Sequence, residues 1–201
     1  LGSPRVLHIV SHTHWDREWY LPFENFRVRL VLLIDNLLDI LTHDPNYRHF
    51  LLDAQAVVLE DYLAVRPEKR EQLEELIQAG RLQIGPWYTA GDETLVSGES
   101  LVRNLQLGIK SCSSFGPVSM VGYLPDQFGH IAQLPQILQG FGIDAVVIGR
   151  GINRNSHDNE FLWQAPDGST VFGLFMNTWY SNARNIPADP DEAVEFLQKA
   201  A

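Results

Sequence analysis

The chain has 201 residues, 45% of them hydrophobic, and a formal charge of −10, enough to bury a core of its own as one domain or a large part of one. Its acidic surface argues against nucleic acid and anionic membranes as partners, and no apolar run approaches a membrane span. The single cysteine, Cys112, excludes an internal disulfide and fits a reducing, cytoplasmic setting.

Residues 1–4 are not the basic start of a secretory leader, and residues 6–10 are too short for its apolar stretch. The opening Leu1-Gly2-Ser3 carries no initiator methionine, so a removed targeting segment stays compatible with the sequence. Residues 6–11, with Leu7, Ile9 and Val10, read as a buried strand, and residues 24–41 as a helix striped by Val28, Val31, Ile34, Leu38 and Leu41. Residues 50–52 form a second strand, followed by a helix over 56–65 and another opened by Pro67 and stopped at Gly80. Residues 82–84 are a third strand. A polar and aromatic loop over 85–98 leads into a helix carrying Leu101, Leu105 and Ile109, with Cys112 as a small packing residue near its end.

Residues 120–124 and 145–148 are the fourth and fifth strands, separated by a helix around 135–139 that Gly140 closes. The runs 161–164 and 170–176, joined through Pro166-Asp167-Gly168, read as a β-hairpin. Asp189-Pro190-Asp191-Glu192 is helix-start chemistry, and Val194 and Leu197 begin an apolar stripe. That stripe reaches Ala201 without a glycine cap or a following strand, so the expectation is a piece of a longer chain with an incomplete sheet.

Alternating strands and helices predict an α/β fold with a parallel sheet, either open and doubly wound or closed as a β/α barrel. In both, ligands gather at the carboxyl ends of the strands. Those ends carry His12, His14 and Asp16, then Asp53 and Gln55, Trp87 and Asp92, Asp126, and Arg150. His12, His14 and Asp16 fall at i, i+2 and i+4, so a chain extended past Val10 sends all three from one face. Imidazole and carboxylate without thiolate suit zinc or another divalent first-row metal. Asp126 follows Pro125, which cannot continue a central strand, and faces the same rim as a third ligand, a nucleophile or both.

A carboxylate nucleophile with a second acid is the pair used in glycoside hydrolysis. Trp15, Trp19, Trp87, Tyr88 and Phe128 offer stacking walls for a sugar, with Asp92 and Tyr180 as further substrate contacts. Residue types alone thus point to a metal-assisted hydrolase of a sugar or polyol. Each has a plainer role beside it: Asp92-Glu93 as a cap for the next helix, Arg150 as a partner for any nearby carboxylate, Trp163 and Trp179 as core, His157-Asp158 as a solvated loop pair. His8, His43 and His49 read as structural or exposed, and Asn182 joins Tyr180 at a strand end.

His12-Thr13-His14-Trp15-Asp16-Arg17-Glu18-Trp19, Gly85-Pro86-Trp87-Tyr88 and Gly122-Tyr123-Leu124-Pro125-Asp126-Gln127-Phe128-Gly129-His130 resemble, in order and spacing, the motifs of glycoside hydrolase family 38. These are zinc-dependent retaining α-mannosidases, and the likeness is greatest to the bacterial branch that includes mannosylglycerate hydrolase. The resemblance implies a seven-stranded parallel β/α barrel-like catalytic domain, with residues 1–201 as its N-terminal part holding about five parallel strands plus the hairpin. It implies one Zn2+ on His14, Asp16 and Asp126, with Asp126 also the nucleophile toward an α-mannoside and Arg150 beside it. Trp19 and Phe128 would line the mannose pocket and His12 would support it; a homo-oligomer of the full-length enzyme is compatible with this.

The family's fourth zinc ligand, a histidine, and its general acid, an aspartate, fall beyond Ala201, so this chain alone is expected to be inactive and to hold zinc weakly. Two alternatives stand beside this reading. One is an amidohydrolase-type metal hydrolase, which would need further histidines after later strands; the other is a non-catalytic sugar-binding module.

Overall fold

The computed structural model describes residues 6–153 and 158–200. Residues 1–4 and His157, and with it the expected His157-Asp158 pair, lie outside the described residues. The elements are β1 (His12–Thr13), α1 (Phe23–His43), β2 (Phe50–Leu52), α2 (Val57–Leu63), a 3-10 turn (Pro67–Lys69), α3 (Arg70–Gln78), β3 (Leu82–Gln83), α4 (Gly98–Ser113), β4 (Gly122–Leu124), α5 (Leu134–Gly140), β5 (Ala145–Ile148), β6 (Glu160–Gln164), β7 (Thr170–Phe175) and α6 (Pro190–Ala200).

Among the described residues the strands form two sheets rather than one, in the orders β1-β2-β3 and β4-β5-β7-β6. The hairpin exists, with Glu160 opposite Leu174, yet its second arm also pairs in parallel with β5. The parallel strands are therefore β1 to β5 and β7, with only the edge strand β6 reversed. The reason lies in β7 itself. Val171, Gly173 and Phe175 alternate inward along it, so it carries a buried face as an interior strand does.

The opening strand is shorter than expected. Only His12 and Thr13 join the sheet, and Val6 is 74% exposed. Strand β2 begins at Phe50, where the Leu51 amide donates to the Ser11 carbonyl at 2.9 Å, so residues 6–10 have no ladder partner among the described residues. Helix α1 buries Phe26, Leu30, Val31, Ile34, Leu37, Leu38 and Leu41. Val28 is 62% exposed because it stands two residues, about 200°, around the helix from Leu30. Each fully buried aliphatic contributes roughly 1.5–3 kcal/mol of transfer free energy before chain entropy is charged against it. Gly140 lies inside α5, and the left-handed exit comes two residues later at Gly142, φ 75°.

One core cluster joins α1, α2 and α3 to the first sheet, and a second joins α5 to β4, β5 and β7. Tyr62 donates to Asp35 at 2.7 Å and Arg66 pairs with the same carboxylate at 3.0 Å, pinning α2 and its exit to α1. Helix α4 lies directly on the loop after β3: a Cβ at Gly108 would sit 2.3 Å from the Pro86 carbonyl oxygen. Cys112 packs there as expected, fully buried, and burial pushes its thiol up to about 12. No helix of the described residues is long and apolar enough to cross a membrane.

Candidate active site

The first sheet supplies His14 and the carboxylate behind it. After β2 the backbone turns left-handed at two non-glycine residues, Asp53 (φ 44°) and Ala54 (φ 54°), a conformation costing roughly 1–2 kcal/mol per residue. This turn buries the Asp53 carboxylate, where Oδ2 accepts from the Trp15 amide at 2.6 Å and from Gln55, and Oδ1 stands 3.3 Å from His14 Nδ1. Gln55 also donates to the Trp15 carbonyl at 2.9 Å and accepts from the Ala90 amide at 2.8 Å, locking the three rim loops together. Burial raises the Asp53 carboxyl despite the lowering pull of His14, Gln55 and the Trp15 amide. For His14, burial pulls downward, but Asp53, Asp16 and Asp126 together raise it.

The other nitrogen of His14, Nε2, faces two carboxylates. It lies 3.6 Å from Asp16 Oδ1 and 3.6 Å from Asp126 Oδ2. Both His14 nitrogens, Asp53 Oδ1 and Asp126 Oδ1 are buried with no aligned hydrogen-bond partner, a local concentration that native interiors ordinarily avoid.

Asp126 comes from the second sheet, immediately after Pro125 ends β4. Arg150, two residues past β5, grips it twice: Nη2 stands 3.0 Å from Asp126 Oδ1, and Nε donates to the Asp126 carbonyl at 2.8 Å. The guanidinium also lies 4.0 Å over the Phe128 ring and 5.7 Å from that of Trp179. His14, Asp16, Asp92, Asp126 and Phe128 line a cleft of about 400 Å³. Tyr180 closes the far side of His14 with ring centroids 5.0 Å apart. Burial, then the charges of Asp126 and Asp16, raise its hydroxyl. His12 faces away from the cleft, between the Tyr180 carbonyl at 2.8 Å and the Tyr123 hydroxyl at 3.2 Å.

Three expected walls stand elsewhere. Trp87 is a core residue, 3% exposed and packed with Leu105, Tyr123 and Leu138. Its backbone is laced between the Ala54 carbonyl and the Ala56 amide, which drives the indole inward. Tyr88 points to α2, donating to Glu60 at 2.9 Å. Trp19 is 74% exposed and leans edge-on against Tyr20 rather than lining the cleft. Asp92 does line it, while accepting from the Phe128 amide at 3.2 Å and from Thr94. Neither Asp92 nor Glu93 caps α4; Ser97 does, accepting from the Ser100 amide at 3.2 Å.

The sequence places Asp53 and Gln55 on the rim without a role, and offers Glu93 only as a cap and Trp179 as core. A carboxylate directly behind the apolar β2 was the signal for Asp53; for Trp179, positive φ (72°) beside Tyr180, nothing in the sequence marked it.

Among the described residues, no group of three or more His, Cys, Asp or Glu side chains is arranged so that it could hold a metal ion. The donors nevertheless suit zinc in kind. A tetrahedral ion with bonds of about 2.0–2.1 Å separates its ligand atoms by about 3.3–3.5 Å, close to the two 3.6 Å separations at His14 Nε2. The other oxygen of Asp126, Oδ1, is held by Arg150.

The profile of the Glycosyl hydrolases family 38 N-terminal domain matches residues 4–201. The chain belongs to this family. It is 48% identical over 208 residues to "Putative mannosylglycerate hydrolase" of Halalkalibacterium halodurans, covering 97% of this chain and 23% of that protein. It is 29% identical to human Alpha-mannosidase 2C1 over 179 residues, covering 86% of this chain and 17% of that one. The crystal structure of an alpha-mannosidase from Enterococcus faecalis superposes with a TM-score of 0.90 at 43% identity, over 95% of this chain and 22% of that chain. The family 38 chain described here thus spans less than a quarter of the length of each of these proteins.

Proposed function

We propose that this chain is the N-terminal part of the catalytic domain of a zinc-dependent retaining α-mannosidase, with Asp126 as its nucleophile. The observation that carries the reading is the convergence on Asp126: His14 Nε2 faces one carboxylate oxygen and Arg150 holds the other. His14, Asp16 and Asp126 would hold zinc, which when bound grips hydroxyls of the sugar and favours its distortion. Arg150 holds one oxygen of Asp126 and leaves the other toward His14, and Phe128 and Tyr180 flank the sugar. Asp126 attacks the anomeric carbon as the glycosidic C–O bond breaks, giving a mannosyl-aspartate. The leaving oxygen takes its proton from an acid that the family resemblance sets beyond Ala201. Water then releases mannose with its configuration retained.

The substrate is an α-mannoside, and the name of the 48% relative favours mannosylglycerate within that class. The two sheets are arcs of a seven-stranded β/α barrel, and the setting is cytoplasmic. An amidohydrolase would need further histidines facing the cleft after later strands; His130, after β4, instead bonds to Glu93 and the Arg150 carbonyl. The test uses the full-length protein and an activated 2-deoxy-2-fluoro-mannoside. Peptide mapping is expected to find one adduct, on Asp126; an adduct on another residue would overturn the assignment.

A further inference from the structure

We propose that His130, held by Glu93, is a positioning residue: through the Arg150 carbonyl it seats the arginine that orients Asp126. This rests on Asp126 being the nucleophile.

Both partners are buried, the His130 side chain 3% exposed and that of Glu93 0%. His130 Nδ1 donates to Glu93 Oε1 at 2.8 Å and Nε2 donates to the Arg150 carbonyl at 2.8 Å. An imidazole with an acceptor at each nitrogen satisfies both only when doubly protonated. Burial pulls His130 downward, but the Glu93 hydrogen bond and charge, the Arg150 carbonyl and the charge of Asp92 raise it. The second Glu93 oxygen accepts from the Ile131 amide at 3.0 Å, and the edge of Trp163 closes the imidazole ring at 5.6 Å. An ion pair this deep is an expensive way to pack a loop, so its geometry is the point to explain.

What it locks is the segment Gly149-Arg150-Gly151. A Cβ at Gly149 would lie 2.1 Å from the Pro125 carbonyl oxygen, and one at Gly151 would lie 2.9 Å from the Gln127 carbonyl oxygen and 2.9 Å from His130 Nε2. The backbone on both sides of Arg150 is therefore pressed against residues 125–130, and Arg150 alone sends a side chain toward the cleft. One end of the guanidinium holds the Asp126 carbonyl and the other its carboxylate, which leaves Oδ2 toward His14.

The lock also crosses between the sheets. Strands β3 and β4 share no ladder among the described residues. Glu93 comes from the loop after β3, His130 from the loop after β4 and Arg150 from the loop after β5. Gln127 to the Gly91 carbonyl at 3.4 Å and the Phe128 amide to Asp92 run in parallel with it.

The test compares wild type, His130→Gln, Glu93→Gln, Arg150→Lys and the His130→Gln/Arg150→Lys double variant in the full-length protein. Readouts are kcat and KM on an aryl α-mannoside, labelling of Asp126, bound metal and thermal melting. A misplacement of about 1 Å at a reacting group can cost about 100-fold. The expected result for His130→Gln is a kcat lower by about 10–100-fold, KM within about twofold, metal content unchanged, and a double variant little slower than the slower single. Glu93→Gln, which keeps the shape but loses the charge, should lower kcat by less. Unchanged kcat, or losses that multiply fully in the double variant, would overturn the positioning role. Failure of wild type to label on Asp126 would instead overturn the functional reading on which this one stands.

Discussion

The rims of the two sheets meet at one cleft but are built in opposite ways. On the first, His14 has two buried nitrogens without aligned partners, and the carboxylate behind it has one such oxygen. On the second, both His130 nitrogens and Arg150 Nε meet aligned acceptors, and Asp126 Oδ1 is left without an aligned bond. Unsatisfied buried polar atoms cost about 1–3 kcal/mol each, so their concentration marks where a ligand is accepted. Satisfied ones mark where a direction must be kept. The first rim is made to bind and the second to aim.

That contrast breaks most sharply at Asp126, where the rims touch. Asp126→Ala in the full-length protein should lower turnover by about 10⁴-fold or more, measured as initial rates on an aryl α-mannoside; a loss under tenfold would remove the nucleophile role. His14→Ala should strip the metal, read by elemental analysis after dialysis, while Arg150→Lys keeps the metal and loses rate. If both variants lost metal equally, the division into a binding and an aiming rim would fail.

Backbone contacts give the next effect. Gly149→Ala forces a methyl to within 2.1 Å of the Pro125 carbonyl oxygen and should cost about 1–3 kcal/mol in denaturant unfolding, with kcat falling as well. A variant as stable as wild type would show that the second rim is looser than drawn.

A pH effect follows from His130. Its folded pKa is raised above the ordinary 6.5, so the folded state binds more protons. The stability it contributes is fully present below the unfolded value and is lost as pH rises through the folded one. Unfolding free energy should therefore decline with pH above about 6.5, and less steeply in His130→Gln; identical slopes would contradict the imidazolium. The smallest effect belongs to Trp19, which is 74% exposed. Trp19→Ala should change KM by about twofold or less, and a larger change would return it to the sugar-binding wall.

Much of this was legible before the structure. Helix α1, strands β2 and β5 and the hairpin follow from apolar periodicity and turn chemistry, and His14, Asp16 and Asp126 line one cleft, with Arg150 on Asp126, because strand ends share a rim. What escaped were features set by neighbours distant in sequence. Trp87 looks like a rim aromatic, and only the lacing of its backbone to Ala54 and Ala56 turns it inward. Residues 6–10 read as a strand because periodicity cannot see that β2 begins too late to pair with them. Glu93 reads as a helix cap because its partner lies 37 residues away.

The central claim, that Asp126 attacks the sugar directly, is tested most directly by following the anomeric proton of the first mannose released, by NMR and ahead of mutarotation. The α-anomer, with configuration retained, is the predicted product. The β-anomer would mean that water attacks the sugar in a single displacement, and that Asp126 is at most its base.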